Sequence, residues 1–407
     1  MARSSEILII GDASACGENH TNDSRYNSIA SSAFRYTIIM QHVLQDGLAS
    51  GMSAVSGLHT HRKPNPVSKD FDGLATVVPK DWIPDGKRRV VYKGKNGDVH
   101  APLLCIGAWP WGDKSTFHWS DEELPAMKEG WEHCLSKDVN FIDTAQVYGS
   151  GKSEQICGQL FANMKREDFI IQTKFYIMPQ TSDILHPTSS PAKKLEWSLK
   201  NMGLDYVDIY LVHGPIHLQT ISMIAKGMAE CVDRGLTKCV GVANYSLEDM
   251  IKMQEALAKY NVPLAINQCE FNVLRRQPEI SGLLQGCKER GIVFQSYSSL
   301  AQGRLTGKYT AQNPPPKQYR FSSYDMRDIE PTVEVLRKIS EKYGKSISSV
   351  ALNYNLCKGI TPVVGVRKLQ QAQQNCESLG WRLTNEEIRE IDGVSFEGHT
   401  TSFWQQG

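Results

Sequence analysis

A barrel of eight parallel strands alternating with helices, the (β/α)8 class, is the fold this sequence predicts. Three observations carry the prediction. Eight short β-rich runs recur along the chain, each followed by a helix-length stretch, and they begin 26–38 residues apart except for a last interval of 69. The runs are continuously apolar rather than alternating, as expected of parallel strands buried on both faces. No G-x-G-x-x-G turn follows the first of them, which argues against a doubly wound dinucleotide-binding sheet. The length of 407 residues, with 41% hydrophobic and 22% charged residues, accommodates one such barrel plus extensions and excludes wholesale disorder.

In chain order, residues 1–80 are rich in Ser, Gly, Asn and His without a sustained period, apart from a short amphipathic stretch over 34–44, and read as a poorly ordered extension. Asn96-Gly97 then lies between two short strand-like runs, a hairpin signal, and the folded domain is expected over 84–396. The barrel strands follow as LLCIGAW from Leu103, NFIDTA from Asn140, FIIQTKF from Phe169, VDIYLVH from Val207, KCVGVAN from Lys238, LAINQCEF from Leu264, IVFQSYS from Ile292 and TPVVGV from Thr361. Between the last two runs, GKYTAQNPPPKQYRFSSYDMRDIEP reads as a large loop on the catalytic side, stiffened by Pro314–Pro316. RKLQQAQQNCESL and LTNEEIREIDGV read as closing helices, the second with Thr384 and Glu387 in a capping-box pattern, before a C-terminal tail over 397–407.

Charge and cysteine content narrow the function classes. Lys plus Arg (45) nearly balance Asp plus Glu (44), so no long-range field recruits nucleic acid or an anionic membrane, and small molecules are the expected partners. The ten Cys form no C-x-x-C pair, which speaks against a disulfide scaffold or a structural zinc. No apolar run is long enough to span a bilayer, and the four-residue run Ile7–Ile10 is too short for a secretory signal, so the cytoplasm is the expected compartment. The acidic Glu6, Asp12, Glu18 and Asp23 weigh against a mitochondrial presequence, and the sequons at Asn19 and Asn22 matter only in a secreted protein.

Reactive groups of such a barrel belong at the carboxyl ends of its strands. There the sequence places Asp143, Tyr148 five residues on, Lys174 and His213, a set able to transfer a proton. An ammonium at Lys174 would stabilise a Tyr148 phenolate and lower its pKa, Asp143 would hold that ammonium, and His213 could position a carbonyl oxygen. Two other motifs fail. GSGKS at Gly149–Ser153 lacks the leading glycine of a phosphate-binding loop, where Gln146 stands, and His59-Thr60-His61 has no carboxylate companion at metal-ligand spacing. The cluster Lys87, Arg88, Arg89, Lys93 and Lys95 has only Tyr92 as an aromatic companion and reads as a charged surface hairpin.

FIDTAQVYGSGKSE, TKF, YLVHGP and SYSSLAQGRLTGKY, in this order, resemble the aldo/keto reductase superfamily over roughly residues 88–396. The resemblance implies reduction of an aldehyde or ketone by NADP(H) without a metal, through a tetrad matched by Asp143, Tyr148, Lys174 and His213, with Tyr148 the general acid. It also implies that Asn244 and Gln268 hold the nicotinamide carboxamide, that Tyr297 stacks on the ring, and that Ser298, Leu300, Gly303 and Lys308 follow the pyrophosphate. Ala243 stands where the family often has a serine. The segment GVRKLQQAQQN resembles the family's adenosine-phosphate segment, implying contacts from Gly365, Arg367, Lys368, Gln371 and Asn375, with Arg367 and Lys368 the charged donors to a 2′-phosphate.

Trp109 and Trp111, with Trp119 nearby, fall in the loop after the first barrel strand, as flat walls for an apolar or ring-shaped substrate. Similar Trp-rich loops occur in plant and fungal pyridoxal-reductase-like members, which makes pyridoxal or a fungal secondary-metabolite carbonyl the expected substrate. Two other functions are compatible with the residues: an NADPH-binding regulatory subunit of a channel, and an aldolase-like barrel using Lys174 as a Schiff-base nucleophile. Oligomeric state is not written in the sequence.

Overall fold

The computed structural model describes residues 67–69, 71–176, 188–217, 219–316 and 324–397. The segment 1–66, with its amphipathic stretch, its sequons and His59-Thr60-His61, and the tail beyond 397 lie outside the described residues. Strands β1 (Arg89–Tyr92) and β2 (Val99–Pro102) form an antiparallel hairpin. They are followed by β3 (Cys105–Gly107), β4 (Phe141–Asp143), β5 (Ile170–Phe175), β6 (Val207–Val212), β7 (Thr237–Ala243), β8 (Leu264–Glu270), β9 (Val293–Tyr297) and β10 (Thr361–Gly365). These last eight close into a barrel in the order β10-β3-β4-β5-β6-β7-β8-β9, every pairing parallel. They coincide with the eight runs picked from the sequence.

Several of the helices begin where a short polar side chain caps the backbone. Ser120 and Glu123 make a reciprocal capping box just ahead of α1 (Leu124–Leu135). Around the barrel follow α2 (Lys152–Phe161), α3 (Ser190–Met202), α4 (Ile221–Asp233) capped by Thr220, α5 (Leu247–Ala258) capped by Ser246, and α6 (Leu283–Glu289). Two helices, α7 (Met326–Tyr343) and α8 (Ile347–Cys357), occupy the long interval before β10, and α9 (Leu369–Cys376) and α10 (Asn385–Asp392) complete the chain. Thr384 and Glu387 make the capping box expected of α10. Apolar faces of these helices pack on the outward side chains of the strands, Ile106, Ile142, Ile171, Val240 and Val242 among them.

Three boundaries differ from the sequence reading. The hairpin exists, but its ladder ends at Tyr92↔Val99, leaving a six-residue loop, 93–98, rather than a two-residue turn at Asn96-Gly97. Gly94 lies in this loop, where a side chain would collide with the carbonyl oxygens of Gly97 and Lys238. The expected catalytic-side loop ends early, because Asp325 caps α7 and Pro331 sits inside that helix. Finally, residues 71–78 belong to the folded unit and not to an extension. Val78 N–H donates to the Cys357 carbonyl, Thr76 Oγ1 donates to Glu279, and Lys358 Nζ, fully buried, reaches the Gly73 carbonyl, Glu279 and Asp392. This buried charge cluster, completed by Arg276, ties residues 71–78 to α8 and α10.

The hairpin covers the amino-terminal end of the barrel, where Tyr92, Val99 and Ala101 pack with Cys105, Phe141, Ile209, Leu211, Cys239 and Val363. That floor leaves the carboxyl ends of the strands as the open end. The cysteines among the described residues are unpaired and buried, and none of the described helices is long and apolar enough to cross a membrane.

Candidate active site

Four elements deliver the polar groups at the open end. Asp143 is the last residue of β4, and Lys174 lies near the end of β5, its side chain fully buried. Lys174 Nζ donates to Asp143 Oδ1 at 2.6 Å, to the Thr144 carbonyl at 3.0 Å and to Tyr148 Oη at 3.3 Å. Tyr148 enters from the β4–α2 loop, in a turn where Gly149 (φ 53°), Ser150 (φ 55°) and Gly151 (φ 89°) are all left-handed. A Cβ at Gly149 would stand 2.7 Å from the Gly112 carbonyl oxygen, so this glycine is required for the approach of two loops. The GSGKS string therefore sets the position of Tyr148. His213 follows β6, with its ring 5.5 Å from that of Tyr148 in an edge-to-face arrangement. Thus all four residues of the expected tetrad come together.

Burial governs the electrostatics. It pushes the Tyr148 phenol above its ordinary range, against the downward influence of Lys174 and with a further upward one from Asp143. The expectation that Lys174 yields a net lowered phenol is therefore corrected: the ammonium acts in that direction, and burial outweighs it. Burial also draws Lys174 down, but Asp143 and Tyr148 together raise it above the usual lysine value. A Schiff-base nucleophile must be an unprotonated amine, so this environment opposes the aldolase reading. His213 is held well below the usual imidazole value by burial and by Lys174, hence neutral at neutral pH.

A network absent from the sequence reading lies beneath these groups. Asp143 Oδ2 accepts from Gln172 Nε2 and, at 3.0 Å, from Gln268 Nε2. Both nitrogens also donate to Gln295 Oε1, at 3.0 and 2.9 Å. Gln172 and Gln295 stand two residues before Lys174 and Tyr297 on their strands, hence on the same inward face one layer down. That period was the available signal.

The cofactor positions carried by resemblance fall into two sets. Asn244 (φ 63°) accepts from Tyr297 Oη at 2.8 Å through Oδ1, and its neighbour across the barrel wall is Gln268. Beyond Tyr297, Ser298, Ala301, Gln302 and Gly303 all have positive φ, with Leu300 between them in a right-handed bridge conformation. In this tight run the Ala301 and Gly303 N–H groups donate to the Ser298 and Leu300 carbonyls, at 2.7 and 2.9 Å. Lys308 is exposed nearby.

At the other end the side chains are already committed. Arg367 makes a bidentate pair with Glu123, at 2.7 and 2.6 Å, and donates to the Phe117 carbonyl at 3.1 Å. Gln371 Oε1 accepts from the Arg367 backbone N–H, and Asn375 Nδ2 donates to the Gly365 carbonyl. Lys368 is exposed. Of the two cations expected as 2′-phosphate donors, only Lys368 presents its charge to solvent without an acidic partner among the described residues.

The Trp-rich loop also divides. Trp109 is half-buried and stacks on Tyr148, centroids 5.9 Å apart and 24° between planes, while Phe117 meets its edge at 5.1 Å. Tyr176 approaches the His213 ring at 6.1 Å. Trp111, in contrast, is fully buried and its Nε1–H donates to the Val366 carbonyl at 2.7 Å, so it packs the loop onto the barrel and lines no open wall.

Comparisons with known proteins bear on this site. A family model described as "Aldo/keto reductase family" matches residues 103–395. The chain is 28% identical over 323 residues to a chloroplastic pyridoxal reductase of Arabidopsis thaliana, covering 75% of this chain and 86% of that protein. It is 29% identical over 314 residues to an aldo-keto reductase of Bacillus subtilis, covering 73% and 90%. Among solved structures, a Bombyx mori aldo-keto reductase in complex with NADP superposes with a TM-score of 0.58 at 25% identity, over 76% of this chain and 93% of that one. A thermostable aldo-keto reductase bound to the inhibitor epalrestat superposes at 0.60, also at 25% identity, over 75% and 99%.

Proposed function

We infer the activity from the premise that the family match establishes: the chain belongs to the aldo/keto reductase family. The reading is an NADPH-dependent reduction of an aldehyde or ketone to an alcohol at the open end of the barrel, and the observation that carries it is the placement of Lys174 Nζ between Asp143 and Tyr148 Oη. The residues present fit the cofactor. Asn244 and Gln268 stand at neighbouring strand ends, Gln268 with its amide oxygen to offer because both its N–H groups are already bonded, Tyr297 offers a ring beside them, and Lys308 and Lys368 offer exposed cations for the phosphates. NADPH, when bound, supplies a hydride to the carbonyl carbon.

The chain supplies the proton and the alignment. Tyr148 donates its hydroxyl proton to the carbonyl oxygen as that oxygen gains negative charge, and becomes a phenolate. Lys174 stabilises that phenolate from 3.3 Å, and Asp143 keeps the ammonium charged and in place. His213, neutral and beside the Tyr148 ring, hydrogen-bonds the same oxygen and restricts its approach. Raised by burial, Tyr148 keeps its proton throughout the neutral range, as a general acid must.

The substrate class follows from the wall that Trp109, Phe117 and Tyr176 build around Tyr148 and His213. Flat rings at right angles suit a planar aromatic carbonyl, and a pyridine aldehyde such as pyridoxal is the first to try, a choice supported by the pyridoxal reductase among the relatives. The test adds NADPH to purified protein, follows quenching of tryptophan fluorescence, and then monitors nicotinamide absorbance with pyridoxal and a series of aromatic and aliphatic aldehydes. The reading expects binding, with turnover greatest for the aromatic aldehydes. Binding without turnover across that series would contradict it.

A further inference from the structure

Barrel interiors of this kind are usually filled with branched apolar side chains. Here a layer of three glutamines sits between the apolar floor and the reactive end. Gln172 and Gln295 are fully buried and Gln268 nearly so, yet each belongs to a different strand. Register places Gln172 beside Asp143 and Gln268 beside Gln295, and the two pairs meet across the interior. Unpaired amides are expensive in such a place, and the nitrogens of these are cross-linked, while Gln172 Oε1 has no partner among the described residues.

The donor and acceptor inventory fixes every orientation. An ionised Asp143 only accepts, so Gln172 and Gln268 must both present their nitrogens to Oδ2. The second hydrogen of each nitrogen goes to Gln295 Oε1. Gln295 is thereby forced to aim its own nitrogen at the floor, where it donates to Tyr92 Oη at 3.0 Å. Tyr92 ends strand β1 and is itself fully buried. An unbroken line of hydrogen bonds thus runs from the hairpin that closes one end of the barrel to the carboxylate at the other.

We propose that Gln295 is a positioning residue of the proton-transfer unit, aiming the amides of Gln172 and Gln268 at Asp143, and that Tyr92 of the floor hairpin is its anchor. The proposal rests on the reading of Tyr148 as general acid. Two N–H donors on Oδ2 draw carboxylate charge away from Lys174, which Oδ1 already holds at 2.6 Å, closer than its 3.3 Å to Tyr148. Without those donors the carboxylate pulls the ammonium harder, and the phenolate of Tyr148 receives less stabilisation. Besides Asp143 and Lys174, the titratable groups around this unit are His213 and Tyr297 near Tyr148, Cys105 and Cys157 near Asp143, and Tyr92 beside Gln295.

The test compares the parent with Gln295→Met, which conserves volume, and with Tyr92→Phe, which removes one oxygen at the far end of the barrel. Phenolate absorbance is titrated in the cofactor-free proteins and in their Tyr148→Phe counterparts, so that the difference isolates Tyr148. The alkaline limb of turnover and the melting temperature are recorded alongside. Expected is a Tyr148 titration displaced to higher pH in both variants, with the alkaline limb moving the same way, and turnover lower by about tenfold in Gln295→Met and about threefold in Tyr92→Phe. Lowered melting temperature with unchanged titration and unchanged alkaline limb would reduce the network to packing and overturn the proposal. Should Gln295→Met fail to fold, Tyr92→Phe decides alone. If the parent reduces no carbonyl, the functional reading fails, and the cofactor-free titration still decides this one.

Discussion

The two ends of the proposed cofactor groove are built on opposite principles. At the nicotinamide end, Asp143, Lys174, Asn244 and Gln268 are each at least 97% buried, stand at strand ends and already bond to one another. At the adenosine end, Gly365, Arg367, Lys368 and Gln371 lie on or beside α9 at the protein surface, and Arg367 spends its charge on Glu123. Chemistry needs fixed geometry before the ligand arrives, and strand ends in a closed barrel supply it. Recognition of a phosphate needs only reachable charge, and it can be held in reserve by an internal partner. Five predictions break or sharpen this contrast.

The largest effect is expected at the buried end. Lys174→Met removes the phenolate's stabiliser and leaves Asp143 as an uncompensated buried charge, so turnover should fall by at least about a hundredfold and stability by about 3–5 kcal/mol, measured by denaturant unfolding. Retained stability would mean that the pair contributes nothing the amides cannot replace.

The pH profile comes next. Tyr148 must be protonated for reduction and its pKa is raised, so the reductive rate should stay level through the neutral range and decline only on the alkaline side, while the reverse oxidation rises there. His213 adds a stability term with its own sign. Its folded pKa is depressed, so below about pH 6.5 the unfolded chain takes up a proton that the native imidazole refuses, and stability falls as pH drops. In His213→Gln that acid-side decline of the melting temperature should be shallower.

The smallest effects belong to the surface end. Glu123→Gln frees Arg367 from its bidentate partner, and NADPH should then bind up to about fivefold more tightly relative to NADH, the worth of a partly exposed pair of about 1 kcal/mol. Lys368→Ala should shift the same ratio the other way by a similar factor, measured by fluorescence titration with both nucleotides. A ratio unmoved by either substitution would place the 2′-phosphate elsewhere.

The same contrast explains what could be read from the chain. Strands buried on both faces write themselves as uninterrupted apolar runs, so all eight were legible, and strand-end placement selected Asp143, Lys174 and His213. Gln172 and Gln295 were hidden because a polar residue inside a strand carries no period of its own; only its distance of two from a reactive neighbour marks it. Trp111 and Trp109 sit two residues apart in one loop, yet one packs and the other faces Tyr148, a distinction set by which indole finds the Val366 carbonyl. Arg367 looked like a free cation because its partner, Glu123, lies 244 residues away in sequence. The docking of residues 71–78 was equally non-local, depending on Lys358 and Glu279.

One measurement bears most directly on the central claim, that Tyr148 gives the proton to the reduced carbonyl. Tyr148→Phe removes a single oxygen, so its NADPH dissociation constant and its turnover on the best aromatic aldehyde should be taken side by side with the parent's. The account predicts an unchanged dissociation constant and turnover lower by about 10²–10⁴-fold. Full turnover in that variant would contradict it.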